Sequence, residues 1–188
     1  STDNTVYSLL AVGTGIYVGG QFTRLNGAAR RYLGRIVATT GATDTTFSGE
    51  TSSTVRALAA SNDRSWLYVG GDFAYVSSRY VATTARSRLA AFTTAFGDVQ
   101  AWNPSPNATV RTIAVNPTTG VVYVGGTFTT IAGAARTAFA AVAATGVLTS
   151  LDLRVTAAFC SHDTGSVYGL PASCPNDVYT VVASGTRL

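Results

Sequence analysis

The chain has 188 residues, of which 46% are apolar and 12% charged, with a formal net charge of +4. That length suits one globular domain burying roughly 70% of its unfolded surface. The basic charge is all arginine, 13 residues against nine acids, and it clusters only at Arg30-Arg31 and Arg86-Ser87-Arg88, so neither nucleic acid nor a strongly acidic partner is expected.

Val6–Val12 (VYSLLAV) reads as a first strand, followed by Ile16–Phe22 (IYVGGQF). Phe22–Arg30 (FTRLNGAAR) then leads to a short apolar segment, YLGRIVA, a turn glycine at Gly41 and an aromatic at Phe47. The same order recurs. Val55–Ala60 (VRALAA) precedes Leu67–Phe73 (LYVGGDF), and Val110–Val115 (VRTIAV) precedes Val122–Phe128 (VYVGGTF). Tyr17, Tyr68 and Tyr123 stand 51 and 55 residues apart, a spacing that signals repeat architecture with units the size of a propeller blade. The turn strings SNDRS, NPTTG, TTGATD and NPSPN separate the runs.

Each unit contains four apolar runs; in the middle unit they are Val55–Ala60, Trp66–Val69, Arg88–Phe92 and Val99–Trp102. Runs this short suit strands and not helices. Ala138–Ala144 (AFAAVAA) is alanine-rich enough to be helical, but its counterpart RLAAFTT has a strand pattern at the same phase. At seven residues it is also far short of the about 20 that a membrane helix needs, so no membrane insertion is expected.

The predicted fold is therefore all-β: a propeller-like array of four-stranded antiparallel blades in a single domain over 1–188. Blades are placed at 6–54, 55–109 and 110–154, with a partial fourth at 155–188. In the last, Val155–Cys160 is expected as a first strand and Val178–Gly185 as a second. Fourteen strands fall short of even a four-bladed ring, and an open arc leaves sheet edges and apolar faces uncovered. Further blades or other protein chains are expected to complete it.

The paired glycines Gly19-Gly20, Gly70-Gly71 and Gly125-Gly126 read as structural: they permit a bulge or a close backbone approach that a Cβ would block. They are not phosphate loops, because no Lys and no helix follow. Arg30, Arg86 and Arg136 hold equivalent places, each expected to tie down a loop through carbonyls or stacking; the alternative is a functional ring of cations. The middle unit breaks the pattern with an insertion, Ala74–Tyr80. Its Tyr75, Arg79 and Tyr80 are the candidate ligand contacts, suited to sugar stacking or protein recognition.

Cys160 and Cys174 bracket a Ser- and Gly-rich insertion and are expected to form a disulfide, worth about 3 kcal/mol for a loop of roughly fifteen residues. The alternative, a metal site of Cys160, His162, Asp163 and Cys174, lacks a second spaced ligand pair. His162 is the sole histidine, Glu50 the sole glutamate, and no G-x-S-x-G elbow is present. No catalytic residue, metal or cofactor is assigned. Asn107-Ala108-Thr109 matches a glycosylation acceptor.

The strings Y-V-G-G-x-F-T and G-A-A-R, the T-G turn, Trp102 with Pro104, and V-R-x-[LI]-A resemble the delta-60 type β-propeller repeats of secreted and cell-surface proteins. The likeness covers roughly residues 6–154. It implies a propeller fold and an extracellular or cell-surface setting, with no shared catalytic motif. The expected function is a non-catalytic structural or protein-interaction module, part of a longer chain or assembly. A carbohydrate-binding propeller is the alternative, and a hydrolase ranks last.

Overall fold

The computed structural model describes residues 1–153 and 177–183. Within them the chain is all-β, with sixteen strands, antiparallel pairing throughout and no helix. In the first unit β1 (Val6–Val12), β2 (Gly15–Gly20) and β5 (Leu33–Val37) form a sheet with β2 in the middle, and β3 (Arg24–Leu25) pairs with β4 (Ala28–Ala29) beside it. After the short β6 (Glu50–Thr51), the second unit repeats this order. Here β7 (Val55–Ala60), β8 (Trp66–Gly71) and β11 (Leu89–Thr93) make the sheet, and β9 (Tyr75–Ser78) pairs with β10 (Val81–Ala85) at its side. In the third unit β12 (Val110–Val115), β13 (Val122–Gly126) and β16 (Phe139–Val142) form the sheet, and β14 (Thr130–Ile131) pairs with β15 (Ala134–Ala135). The alanine-rich 138–144 segment thus contains a strand.

The double glycine has a distinct reason at each of its two positions. The first glycine faces the next unit. A Cβ on Gly19 would collide with the Val55 side chain, and one on Gly70 would collide with that of Val110. The second glycine lies over the carbonyl just before the first strand of its own sheet: a Cβ on Gly20, Gly71 or Gly126 would strike the backbone oxygen of Thr5, Thr54 or Thr109. The first strand bulges opposite the pair. Val6, Val55 and Val110 oppose the second glycine, Ser8, Ala57 and Thr112 oppose the first, and Tyr7, Arg56 and Arg111 are the extra residues.

A left-handed residue locks each turn into the third strand. Tyr32, Arg88 and Ala138 have φ of 64°, 60° and 62°. Their N–H groups donate to the carbonyls of Phe22, Phe73 and Phe128 at 2.9, 2.7 and 2.8 Å, and their own carbonyls accept from Gly20, Gly71 and Gly126 at 3.0, 3.0 and 2.9 Å. Two hydrogen bonds hold a conformation that a non-glycine residue seldom adopts.

The core lies between units. Tyr17, Leu33 and Phe47 of the first sheet pack on Val55, Leu58, Leu67, Val69, Ala90 and Phe92 of the second. Tyr68, Leu89, Ala91 and Trp102 of the second pack in turn on Val110, Ile113, Val122, Val124 and Val142 of the third. Strand β7 lies beside both β1 and β12. The middle sheet buries both faces because a neighbour covers each.

Two expectations are revised. The fourth edge of each unit is a single bridge and not a strand: Ile36–Thr43, Phe92–Val99 and Val142–Leu148. In the second unit Trp102 then turns in to the core and Pro104 and Pro106, which lack N–H groups, follow, so the ladder cannot extend. The second revision concerns Val178–Gly185. A Cβ on Gly125 would meet the Val178 side chain, as one on Gly19 meets Val55 and one on Gly70 meets Val110. Val181 and Ala183 pack against Tyr123, Phe139 and Ala141. The described part of that segment, 178–183, forms no strand, and residues 184–185 lie outside the described residues. The predicted strand Val155–Cys160 lies outside the described residues.

Candidate functional site

The insertion in the middle unit builds the most unusual surface feature. Where the flanking units have hairpins of two-residue strands, β9 and β10 are longer, and β6 adds a third strand through Glu50–Ser77 and Thr51–Val76 pairing. Ser78 pairs with Val81, so Arg79 and Tyr80 form the tip. The Arg79 guanidinium makes two 3.1 Å bonds to the Asp98 carboxylate. Its carbon sits 4.6 Å from the Tyr80 ring centre and 4.2 Å from that of Phe96. The Arg79 N–H donates to Ser48 Oγ at 3.1 Å. Arg79 is thus a clamp between two rings.

Tyr75 stands at the other end of β9 and is 52% exposed. It edges a cleft of about 130 Å³ with Arg31, Glu50, Ser77 and Thr83. The structure therefore joins Arg79 and Tyr80 and sets Tyr75 apart. Sequence reading passed over Phe96 and Asp98. Their signal was a departure from the repeat: Phe96 precedes the turn glycine Gly97, where the other units have Thr40 and Thr145.

The bulged residues form a second charged feature. Arg56 binds both oxygens of Asp72, at 2.7 to 3.0 Å, and Thr109 Oγ1 donates to the same carboxylate at 2.8 Å. Burial acts to raise the Asp72 pKa, but the hydrogen bonds from Arg56 and Thr109 and the Arg56 charge outweigh it, and the carboxyl lies below its ordinary range. Arg56 also lies 5.4 Å from the Tyr7 ring centre. The pattern recurs at the far end, where Arg111 pairs with Asp177 at 2.7 Å and lies 4.8 Å from the Tyr179 ring centre.

No protein-family model matches this chain, and no curated protein does.

The repeated arginines are engaged locally. Arg30, Arg86 and Arg136 each donate through Nη1 to the carbonyl of the preceding residue at 2.9 Å. Nη2 of Arg30 and Arg86 reaches the fourth edge, at Asp44 O (3.4 Å) and Gln100 O (2.9 Å). Arg136 reaches the Asp152 carboxylate at 3.6 Å. Each head ties a side hairpin to its sheet. Glu50 is a strand residue paired with Ser77. Cys160, His162, Asp163 and Cys174, and with them the expected disulfide and its metal alternative, lie outside the described residues.

The outer face of the first unit is uncovered. Val6 and Leu9 are 36% and 65% exposed, whereas their counterparts Val55 and Val110 are fully buried and Leu58 and Ile113 are 8% exposed. The buried residues that remain on this side are Val18, Phe22 and Leu25, with Ile36 packed against them. The same residue types that make the core at two junctions therefore face solvent here.

Proposed function

We propose that the three units are blades of a β-propeller of the delta-60 repeat type, in a secreted or cell-surface protein, and that the chain serves as a non-catalytic assembly or interaction module. Three stacked sheets with neighbouring first strands support the blade arrangement, as does Val178, which meets Gly125 as Val55 meets Gly19. The observation that carries the proposal is the exposure of Val6 and Leu9 in a face whose two repeats are core. A surface built like an interior has a like surface as its natural partner, here the Tyr- and Leu-bearing face of another unit, supplied by further blades or by another chain.

Light scattering on the purified chain tests this. Association that Leu9→Lys abolishes, while leaving the far-ultraviolet circular dichroism unchanged, is the expected result. A strict monomer across the accessible concentration range, unaltered by Leu9→Lys, sinks the assembly role.

A second reading, a carbohydrate-binding propeller, draws on the exposed rings of Tyr75 and Tyr80 at the insertion hairpin. Glycan capture that disappears in a Tyr75→Ala, Tyr80→Ala double variant would carry it.

A further inference from the structure

Three clefts are lined by the repeat tyrosine, two of them at junctions between units. One contains Tyr17, Arg35 and Thr94; the next contains Trp66, Tyr68 and Ala144; the third contains Tyr123, Asn116 and Leu151. The three are not alike. At the first, the Tyr17 hydroxyl donates to the Thr94 carbonyl and Arg35 covers the ring, 5.6 Å from its centre. At the third, the Asn116 amide reaches the Tyr123 hydroxyl at 3.4 Å. At the middle cleft Ala91 replaces Arg35 and Ala144 stands at the place of Thr94. Among the described residues the Tyr68 hydroxyl has no hydrogen-bond partner, although the residue as a whole is only 1% exposed.

The repeat also departs at Trp66. Its counterparts are Gly15 and Val121, so the blade pattern does not require an aromatic there. Trp66 is only partly buried, and its ring meets Tyr68 edge-on, with centres 6.3 Å apart and planes at 74°. Trp66 offers its ring to a cleft of about 350 Å³, at the low end of the roughly 300–1,000 Å³ of ligand pockets, which the buried Tyr68 also borders. The opposite side carries little bulk, being Gly120 and Ala144.

The polar rim is rich in acceptors. Both amide protons of Asn62 are engaged, with its Nδ2 at 3.1 Å from Asn116 O and 3.0 Å from Pro117 O, which leaves Oδ1 as an acceptor. Asp63 is held by Ser61 and Ser65, whose hydrogen bonds lower its pKa to about 2, so it is a carboxylate at any working pH. Tyr68, its pKa raised by burial, keeps its proton and can donate or accept.

We propose that this cleft is a binding site for a neutral pyranose ring. The ring's C–H face suits the Trp66 indole, and its hydroxyls find acceptors in Asn62 and Asp63 and a hydroxyl partner in Tyr68. The site lies wholly between the second and third units, so it does not depend on what covers the first.

The test presents the whole chain to immobilised neutral oligosaccharides of the glucan, mannan, galactan and xylan series. Binding to at least one series is expected. Trp66→Val, which installs the residue type of the third unit, and Tyr68→Phe, which removes only the hydroxyl, should each weaken it by about tenfold, the loss of one well-made contact. Near-ultraviolet circular dichroism of the Tyr68→Phe variant serves as the folding control. No binding to any series overturns the assignment. So does binding insensitive to both variants, or capture lost in the Tyr75→Ala, Tyr80→Ala variant but kept in these two. Binding of tetramethylammonium with none of the sugars would make the cleft a cation site and overturns it equally.

Discussion

The Val110 side chain occupies the space where Gly70 would carry a Cβ. One missing methyl on the second unit is thereby filled by the opening valine of the third, and the contact recurs at Gly19 with Val55 and at Gly125 with Val178. These contacts set how closely successive sheets stack, which is why the double glycine tracks the repeat.

Gly70→Ala should therefore destabilise the chain by about 1–3 kcal/mol, an overpacking cost without a backbone component, because Gly70 has no positive φ. Val110→Ala alone should also be destabilising. The double variant should be more stable than the sum of the two predicts, since the second change makes room for the first. Urea unfolding of the four proteins measures the coupling; strict additivity would refute the interlock.

Stability should fall in acid partly through Asp72. Its pKa in the folded chain is lowered, so the Arg56–Asp72–Thr109 contacts contribute fully above the unfolded Asp value of about 3.9. That contribution is lost as pH falls below it and through the folded value. Asp72→Asn should flatten the acid limb of a stability–pH curve and lower stability at neutral pH. Asp44, whose carboxyl is also held below its ordinary range, leaves a residual slope.

The Arg79 clamp is a surface device, and Arg79→Ala should cost no more than about 1 kcal/mol of global stability. Its effect should be local. Amide exchange in Val81–Ala85 should accelerate while exchange in Leu67–Val69 stays unchanged, and Arg79→Lys should not restore protection because an ammonium cannot fill the space between two rings. Equal acceleration of both strands would show that the clamp supports the whole unit.

Leu9 and Leu58 hold the same repeat position in different surroundings. Leu58→Lys places an unpaired charge in the core and should cost several kcal/mol or prevent folding. Leu9→Lys should change monomer stability by no more than about 0.5 kcal/mol. A comparable loss at both sites would mean that the first unit's outer face is not free in the isolated chain.

Much of this architecture was legible without coordinates, because a stacked repeat needs the same small and large residues at the same places. Y-V-G-G-x-F marked every second strand, and the Thr-Val pairs Thr5-Val6, Thr54-Val55 and Thr109-Val110 marked every first strand with its glycine-facing carbonyl. VYTVVA at Val178 also resembles VYSLLA at Val6. What local pattern could not supply is which copies of a repeated residue are consumed by neighbours. Tyr17, Tyr68 and Tyr123 are one position in the sequence, yet only tertiary contacts with Thr94, Ala144 and Asn116 decide which hydroxyl is left to a ligand. Likewise Leu9 and Leu58 are one position in the sequence, and only the stacking of units buries Leu58 and leaves Leu9 in water. Burial belongs to pairs of faces, and a linear pattern describes one face at a time.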